Sequence, residues 1–154
     1  VNKLKVRKAN FSDKKDLFNW RNDETSIKMS INSSPISEIT HNKWFDSALK
    51  DKFIILLIAE ENKDKISVVR FDIHEDKKVA EISINLNPQE RGRGKSVSVL
   101  CKCIMYFIKY NKYEIKTIIA RIKKQNNPSK LSFLKSGFEF SHIDDDIEIY
   151  QYSL

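Results

Sequence analysis

The sixteen residues EISINLNPQERGRGKS, from Glu81 to Ser96, decide the fold. An alternating strand, 79–86, runs through Pro88 into a turn that carries two of the chain's three glycines, Gly92 and Gly94. Apolar residues then resume at helical spacing, Val97, Leu100, Cys101, Ile104 and Ile108, which predicts a long helix to about Tyr110. The first backbone amides of a helix lack internal partners, and the helix dipole favours an anion there. Gly92 and Gly94 let the backbone approach a pyrophosphate closely, and Arg91, Arg93 and Lys95 add positive charge. Two other phosphate-binding patterns are excluded. G-x-G-x-x-G needs a glycine where Val97 stands, and G-x-x-x-x-G-K-S needs one where Gln89 stands.

Outward from this segment the chain alternates between strands and helices. Upstream, 4–7 reads as a first strand, and Ser12 as the cap of a helix bearing Leu17, Phe18 and Trp20 that ends at Arg21-Asn22-Asp23. Residues 24–36 are polar, contain Pro35 and read as a loop. Ser37 caps a second helix to about Lys50, with Ile39, Trp44, Phe45, Ala48 and Leu49 as its apolar positions. The unbroken apolar run at 53–60 predicts a strand buried on both faces, and 66–73 follows as another. Downstream, 114–122 is a strand. Residues 126–136 form a helix with Leu131 and Leu134 inward and Gly137 as its stop. The segments 138–143 and 147–152 pair across Asp144-Asp145-Asp146. The expected fold class is one α/β (α+β) domain over 1–154, with a mixed, mainly antiparallel sheet of about seven strands and about four helices.

With 154 residues, 40% hydrophobic and 32% charged, the composition is that of an ordinary globular domain. No apolar run reaches signal-peptide or membrane-span length, and Cys101 and Cys103 read as two reduced thiols, too few for a metal site. A cytoplasmic setting, no membrane and no metal are therefore expected. The net charge of +7 is spread, apart from two small clusters that suit a polyphosphate better than a duplex. Aromatic residues are not interleaved with basic ones as on a nucleic-acid platform, so no nucleic acid is expected.

Two motifs carry a family resemblance. Gln89-x-x-Gly92-x-Gly94 resembles the Q/R-x-x-G-x-G/A motif of the GNAT acetyltransferases. Asn126-x-x-Ser129-x-x-x-Phe133-x-Lys135-x-Gly137-Phe138 resembles the family's N-x-x-A-x-x-x-Y-x-K-x-G-F helix. Order and spacing match over nearly the whole chain. The resemblance implies an enzyme that transfers acetyl from acetyl-CoA to an amine, in a cleft where the fourth and fifth strands splay apart. It implies that the pantetheine arm pairs with backbone near Asn85 and Leu86. The amides of Arg91, Gly92, Arg93, Gly94, Lys95 and Ser96 would hold the pyrophosphate, with Gln89, Asn126 and Phe133 completing the cofactor site. One departure stands out: many members carry tyrosine at Phe133, as the acid that protonates the leaving thiolate.

In the N-terminal third, Trp20-Arg21-Asn22, Met29-Ser30 and His41-x-x-Trp44-Phe45 resemble the bacterial branch that acetylates nucleotide-linked amino sugars, nearest to the N-acetyltransferases of pseudaminic acid biosynthesis. That implies a UDP-linked 4-amino sugar as acceptor, for surface-glycan or flagellin-sugar biosynthesis, with Trp20, Arg21, Asn22, His41 and Trp44 binding it. An arginine grips a phosphate bidentately, and a tryptophan face suits a uracil or sugar ring. The plain alternative is that Trp20, Trp44 and Phe45 are core residues. Glu81, at the head of the strand into the cleft, is the first candidate base, and His41 the second. Two other functions fit the pattern: acetylation of protein N-termini, as in the ribosomal-protein branch, and a catalytically degenerate CoA- or nucleic-acid-binding module. Exposed edge strands leave both monomer and homodimer open.

Overall fold

The computed structural model describes residues 3–154. Seven strands form one sheet: β1 (Leu4–Lys8), β2 (Ile54–Glu61), β3 (Asp64–Ile73), β4 (Val79–Leu86), β5 (Thr117–Lys123), β6 (Glu139–Asp144) and β7 (Ile147–Ser153), in the spatial order β1-β2-β3-β4-β5-β7-β6. Every neighbouring pair is antiparallel except β4 and β5. The helices are α1 (Lys14–Arg21), α2 (Glu24–Met29), α3 (Glu38–Lys50), α4 (Ser96–Tyr110) and α5 (Asn127–Lys135). This is the mixed, mainly antiparallel α/β architecture expected from the sequence.

The apolar run of β2 is explained by cover on both sides. Leu57 and Ala59 belong to the core under α4, while Leu56 and Ile58 belong to a second core with Leu17, Trp20, Phe45 and Ala48 of α1 and α3. Successive side chains point to opposite faces, so one strand feeds both layers. Phe107 of α4 stacks on Phe71 of β3 at 4.1 Å between ring centroids, and both rings are fully buried. Each contributes on the order of 2–3 kcal/mol by burial.

Five readings change. Residues 24–36 are not all loop, because α2 occupies 24–29. The Asp23 side chain accepts from the amides of Thr25 and Ser26, which nucleates a short polar helix that has no apolar period. Helix α4 buries Val99, Leu100, Cys103, Ile104 and Phe107, whereas Cys101 and Ile108 face outward. It is apolar nearly all round, so several stripes fit the sequence, and the stack on Phe71 selects among them. On α5, Leu131 and Leu134 are exposed and Phe133 is the buried residue, edge-on to Phe138 at 5.0 Å. Ile39 of α3 is also exposed. In the first turn, Asn10 and not Ser12 is the cap, completing a capping box with Asp13.

Candidate active site

Strands β4 and β5 are in register over only three pairs, Val79–Thr117, Ala80–Ile118 and Glu81–Ile119. Beyond Glu81 they diverge, and residues 82–86 of β4 have no partner on that side. The opening is a cleft of about 1030 Å³, at the large end of the usual range for small-molecule sites. The 91–96 turn and the start of α4 close one end of it, and α1, α2 and α3 wall the other.

At the turn end, Gly92 and Gly94 adopt φ of +73° and +68°. A Cβ added at either would meet nothing within 4 Å. Backbone conformation, not space, is therefore what requires glycine. No side chain caps the amino terminus of α4, which leaves its first amides available to an anion. The basic side chains are less available than the sequence suggests. Arg91 Nη1 lies 2.8 Å from Asp23 Oδ2, and Arg93 Nη1 lies 3.3 Å from Glu90 Oε2. Lys95 Nζ lies 3.3 Å from both Glu61 and Glu90. Glu90 itself is buried and holds the turn together. Gln89 is exposed and borders a separate polar hollow with Asp64 and Arg93, so it does not join the cleft. The same Q/R-x-x-G-x-G/A pattern begins again at Arg91, and there all its positions line the cleft: Arg91, Gly94 and, in the last small-residue place, Ser96, the first residue of α4.

Asn126 caps α5 by accepting from the Ser129 amide at 3.3 Å. It lines the cleft with Asn85, Leu86 and Phe133. Ser96 and Ser132 join hydroxyls at 2.7 Å, tying α4 to α5. Among the described residues no tyrosine lines the cleft.

At the other end Glu81 is half-buried at the point of divergence. Its carboxylate has no hydrogen bond or ion pair among the described residues. It stands opposite Asp72 of β3, whose charge is taken by Arg70 at 2.7 Å. Arg70 in turn lies 5.0 Å over the ring of Trp44, which covers one face of that candidate platform. Ser83 and Asn85 share the face of Glu81.

Arg21 lines the cleft as expected. Its Nη2 donates to the carbonyls of Asn32 (3.0 Å) and Ser34 (3.2 Å), while its Nη1 is buried with no partner. No carboxylate lies within ionic reach of it among the described residues. Burial disfavours the charged form and lowers its pKa.

Three acceptor-side readings are corrected. Trp20 is 5% exposed, packed with Leu17 and Phe45, and lines no part of the cleft. Asn22 is a clasp: its side chain donates to the Ile36 carbonyl (2.6 Å) and accepts from the Ile36 amide (2.9 Å). His41 is 2% exposed, caged by Phe18, Trp44 and Phe45, with Nε2 3.0 Å from the Lys14 carbonyl. That bond fixes Nε2 as a donor, and burial lowers the pKa. It borders the cleft, but its Nε2 is committed to the Lys14 carbonyl and does not accept a proton from a substrate.

Two participants went unread in the sequence, Ser26, which bonds Asn85, and Arg121, exposed on the face of Glu81 with no acidic partner among the described residues; Lys123, read only as part of a small basic cluster, donates to the Lys28 carbonyl in α2. The spacing Asp23-x-x-Ser26 was the one local signal, a helix-capping pattern. The others are long-range contacts.

The acetyltransferase (GNAT) domain family matches residues 3–139, and the chain belongs to that family. It is thus an acetyltransferase whose cosubstrate is acetyl-CoA and whose acceptor is an amine. A search of the curated proteins finds no match. Among solved structures, it is similar to the aminoglycoside acetyltransferase AAC(6')-Ib in complex with coenzyme A: 15% identity, TM-score 0.83, covering 98% of this chain and 95% of that one. It is also similar to the spermidine N-acetyltransferase of Vibrio cholerae in complex with CoA and spermine: 15% identity, TM-score 0.82, covering 97% and 95%. A third is yncA of Salmonella typhimurium with its cofactor acetyl-CoA: 16% identity, TM-score 0.78, covering 97% and 93%. At these identities the likeness is one of fold.

Proposed function

We propose that this protein acetylates an amine on an acceptor that also carries an anionic group, a UDP-linked 4-amino sugar being the acceptor that best fits the sequence resemblance. The observation that carries the reading is Arg21, a cation lining the cleft with Nη1 buried and unpartnered and no carboxylate in reach. A desolvated guanidinium nitrogen without a partner is costly, and a phosphate oxygen supplies what it lacks. Arg121, on the face of Glu81, adds a second cation. A peptide N-terminus has no need of either.

Acetyl-CoA enters the divergence of β4 and β5. Its arm pairs with β4 backbone at Asn85 and Leu86, its pyrophosphate rests on the amides of 91–96, and Asn126 and Phe133 border it. The neutral amine nitrogen attacks the thioester carbonyl carbon with its lone pair. A C–N bond forms, and the developing oxyanion takes an amide hydrogen bond near Leu86. The amine proton passes to the free carboxylate of Glu81, directly or through water. The C–S bond then breaks, and its electrons leave on sulfur as the CoA thiolate. Phe133 gives that thiolate no proton, and a CoA thiol is acidic enough to leave unassisted. Two free cysteines, one buried and one exposed, suit a reducing cytoplasm, where both substrates would be found.

UDP tests the acceptor assignment without the sugar. It should inhibit competitively against the acceptor and not against acetyl-CoA, and Arg21→Gln should relieve the inhibition at least tenfold. Indifference to millimolar UDP contradicts the nucleotide-sugar reading.

A further inference from the structure

Arg91 stands in the phosphate-binding turn, yet its guanidinium turns away from the turn. Nη1 is held by Asp23 at 2.8 Å, and Nη2 donates to the Ser26 hydroxyl at 2.7 Å. Burial opposes ionisation of Asp23, but the Arg91 bond and the Ser26 and Thr25 amides more than offset this and hold it below the usual carboxylate range. Having accepted from Arg91, the Ser26 hydroxyl has one proton to give, and its acceptor is Asn85 Oδ1 at 3.0 Å. That bond fixes which way the Asn85 amide faces, because its oxygen is taken by Ser26. The Asn85 Nδ2 makes no bond among the described residues and lies on the unpaired stretch of β4.

We propose that Ser26 and Arg91 are positioning residues that lock the Asn85 side chain with its amide N–H groups turned to the pantetheine arm of acetyl-CoA. Asp23 anchors this relay, and Arg91 serves the arm rather than the pyrophosphate. The amide groups and the thioester of that arm offer carbonyl oxygens and match a neutral donor. Helix α2, which belongs to the acceptor wall, thereby sets the affinity for the cofactor. The proposal rests on the reading that acetyl-CoA occupies the β4–β5 divergence.

Calorimetric binding tests it without an acceptor, using CoA and adenosine 3'-phosphate 5'-diphosphate, the same nucleotide without the arm. Asn85→Asp keeps the bond from Ser26 and removes the donor. It should weaken CoA about tenfold, the worth of a hydrogen bond lost with an unmatched oxygen left behind. Ser26→Ala should weaken CoA about threefold. Both should leave the armless nucleotide within twofold, as should Arg91→Gln. Unfolding temperatures and circular dichroism exclude a folding defect. If Arg91→Gln weakens the armless nucleotide as much as CoA, Arg91 is a pyrophosphate ligand and the proposal fails. Unchanged CoA affinity in Asn85→Asp also overturns it. If wild type binds the armless nucleotide and CoA equally, the arm makes no net contact and the proposal fails. If wild type binds neither, the cleft reading fails first.

Discussion

The ammonium of Lys123, at the end of β5, lies 3.1 Å from the carbonyl oxygen of Lys28 in α2. It also donates to the Ser33 hydroxyl. Arg21 bonds Asn32 and Ser34, and Asn22 bonds Ile36, so the 23–36 segment is fastened at many points despite its scarcity of apolar residues. Lys123→Met keeps the apolar stem and removes the buried charge. The relief of desolvation offsets the lost hydrogen bonds, so the unfolding temperature should move by no more than about 3 °C. The effect should appear instead as a rise of about tenfold in KM for the acceptor, with KM for acetyl-CoA changed less.

Gly92→Ala and Gly94→Ala separate conformational from steric cost. Open space surrounds both positions, so the strain is that of a left-handed non-glycine residue, about 1–2 kcal/mol each. Each variant should fold with a modestly lowered unfolding temperature and bind CoA several-fold more weakly as the turn relaxes. Unchanged binding in both would show that the turn does not need its positive φ values to hold the cofactor.

The fold was legible because its signals are local. The apolar run of β2, the alternation of β4, the Gly92–Gly94 turn and the Ser37 cap each announce an element within a few residues. The same reasoning failed where neighbours distant in sequence decide. Nothing local tells which stripe of the apolar helix α4 meets Phe71, that Trp20 fills the core while Arg21 beside it faces the cleft, or that His41 is sealed against Lys14. Gln89 matched the motif by letter, but the structure points it elsewhere and sets the pattern two residues later. Glu81 and Arg21 were placed from local position alone, a carboxylate at a strand head and an arginine at a helix end, and both line the cleft.

Two buried groups set the acid limit of stability. Burial lowers the pKa of His41, so the unfolded chain binds its proton more readily. Its contribution is complete above about pH 6.5 and is lost as pH falls below that. Burial alone would raise the pKa of Asp13, but bonds from Arg7, Lys65 and the Asn10 amide overcome it and hold the carboxyl far below the usual range. Its contribution is complete above about pH 4 and is lost below. Unfolding temperature against pH should therefore fall first below about 6.5 and again below about 4. His41→Phe should remove the first decline. Asp13→Asn should remove the second and lower stability by roughly 3 kcal/mol at neutral pH, since it breaks the buried pairs with Arg7 and Lys65 and leaves them only Glu60 and Asp16.

With no tyrosine in the cleft, the alkaline arm of a general acid is missing. The kcat/KM profile should rise with pH to a plateau and stay flat to about pH 9.5. A descending alkaline limb would show that another cleft residue, such as Lys135, protonates the thiolate.

The most direct test of the central claim is release of CoA thiol by the purified protein supplied with acetyl-CoA and one acceptor at a time: a UDP-linked 4-amino-6-deoxy sugar, the same amino sugar without UDP, spermine, or a peptide with a free amino terminus. The account predicts rapid release with the nucleotide sugar, at least a hundredfold slower release with the bare sugar, and dependence of the difference on Arg21. Equal or faster release with spermine or the peptide would contradict it and reassign the acceptor, leaving the β4–β5 cleft as the acetyl-CoA site.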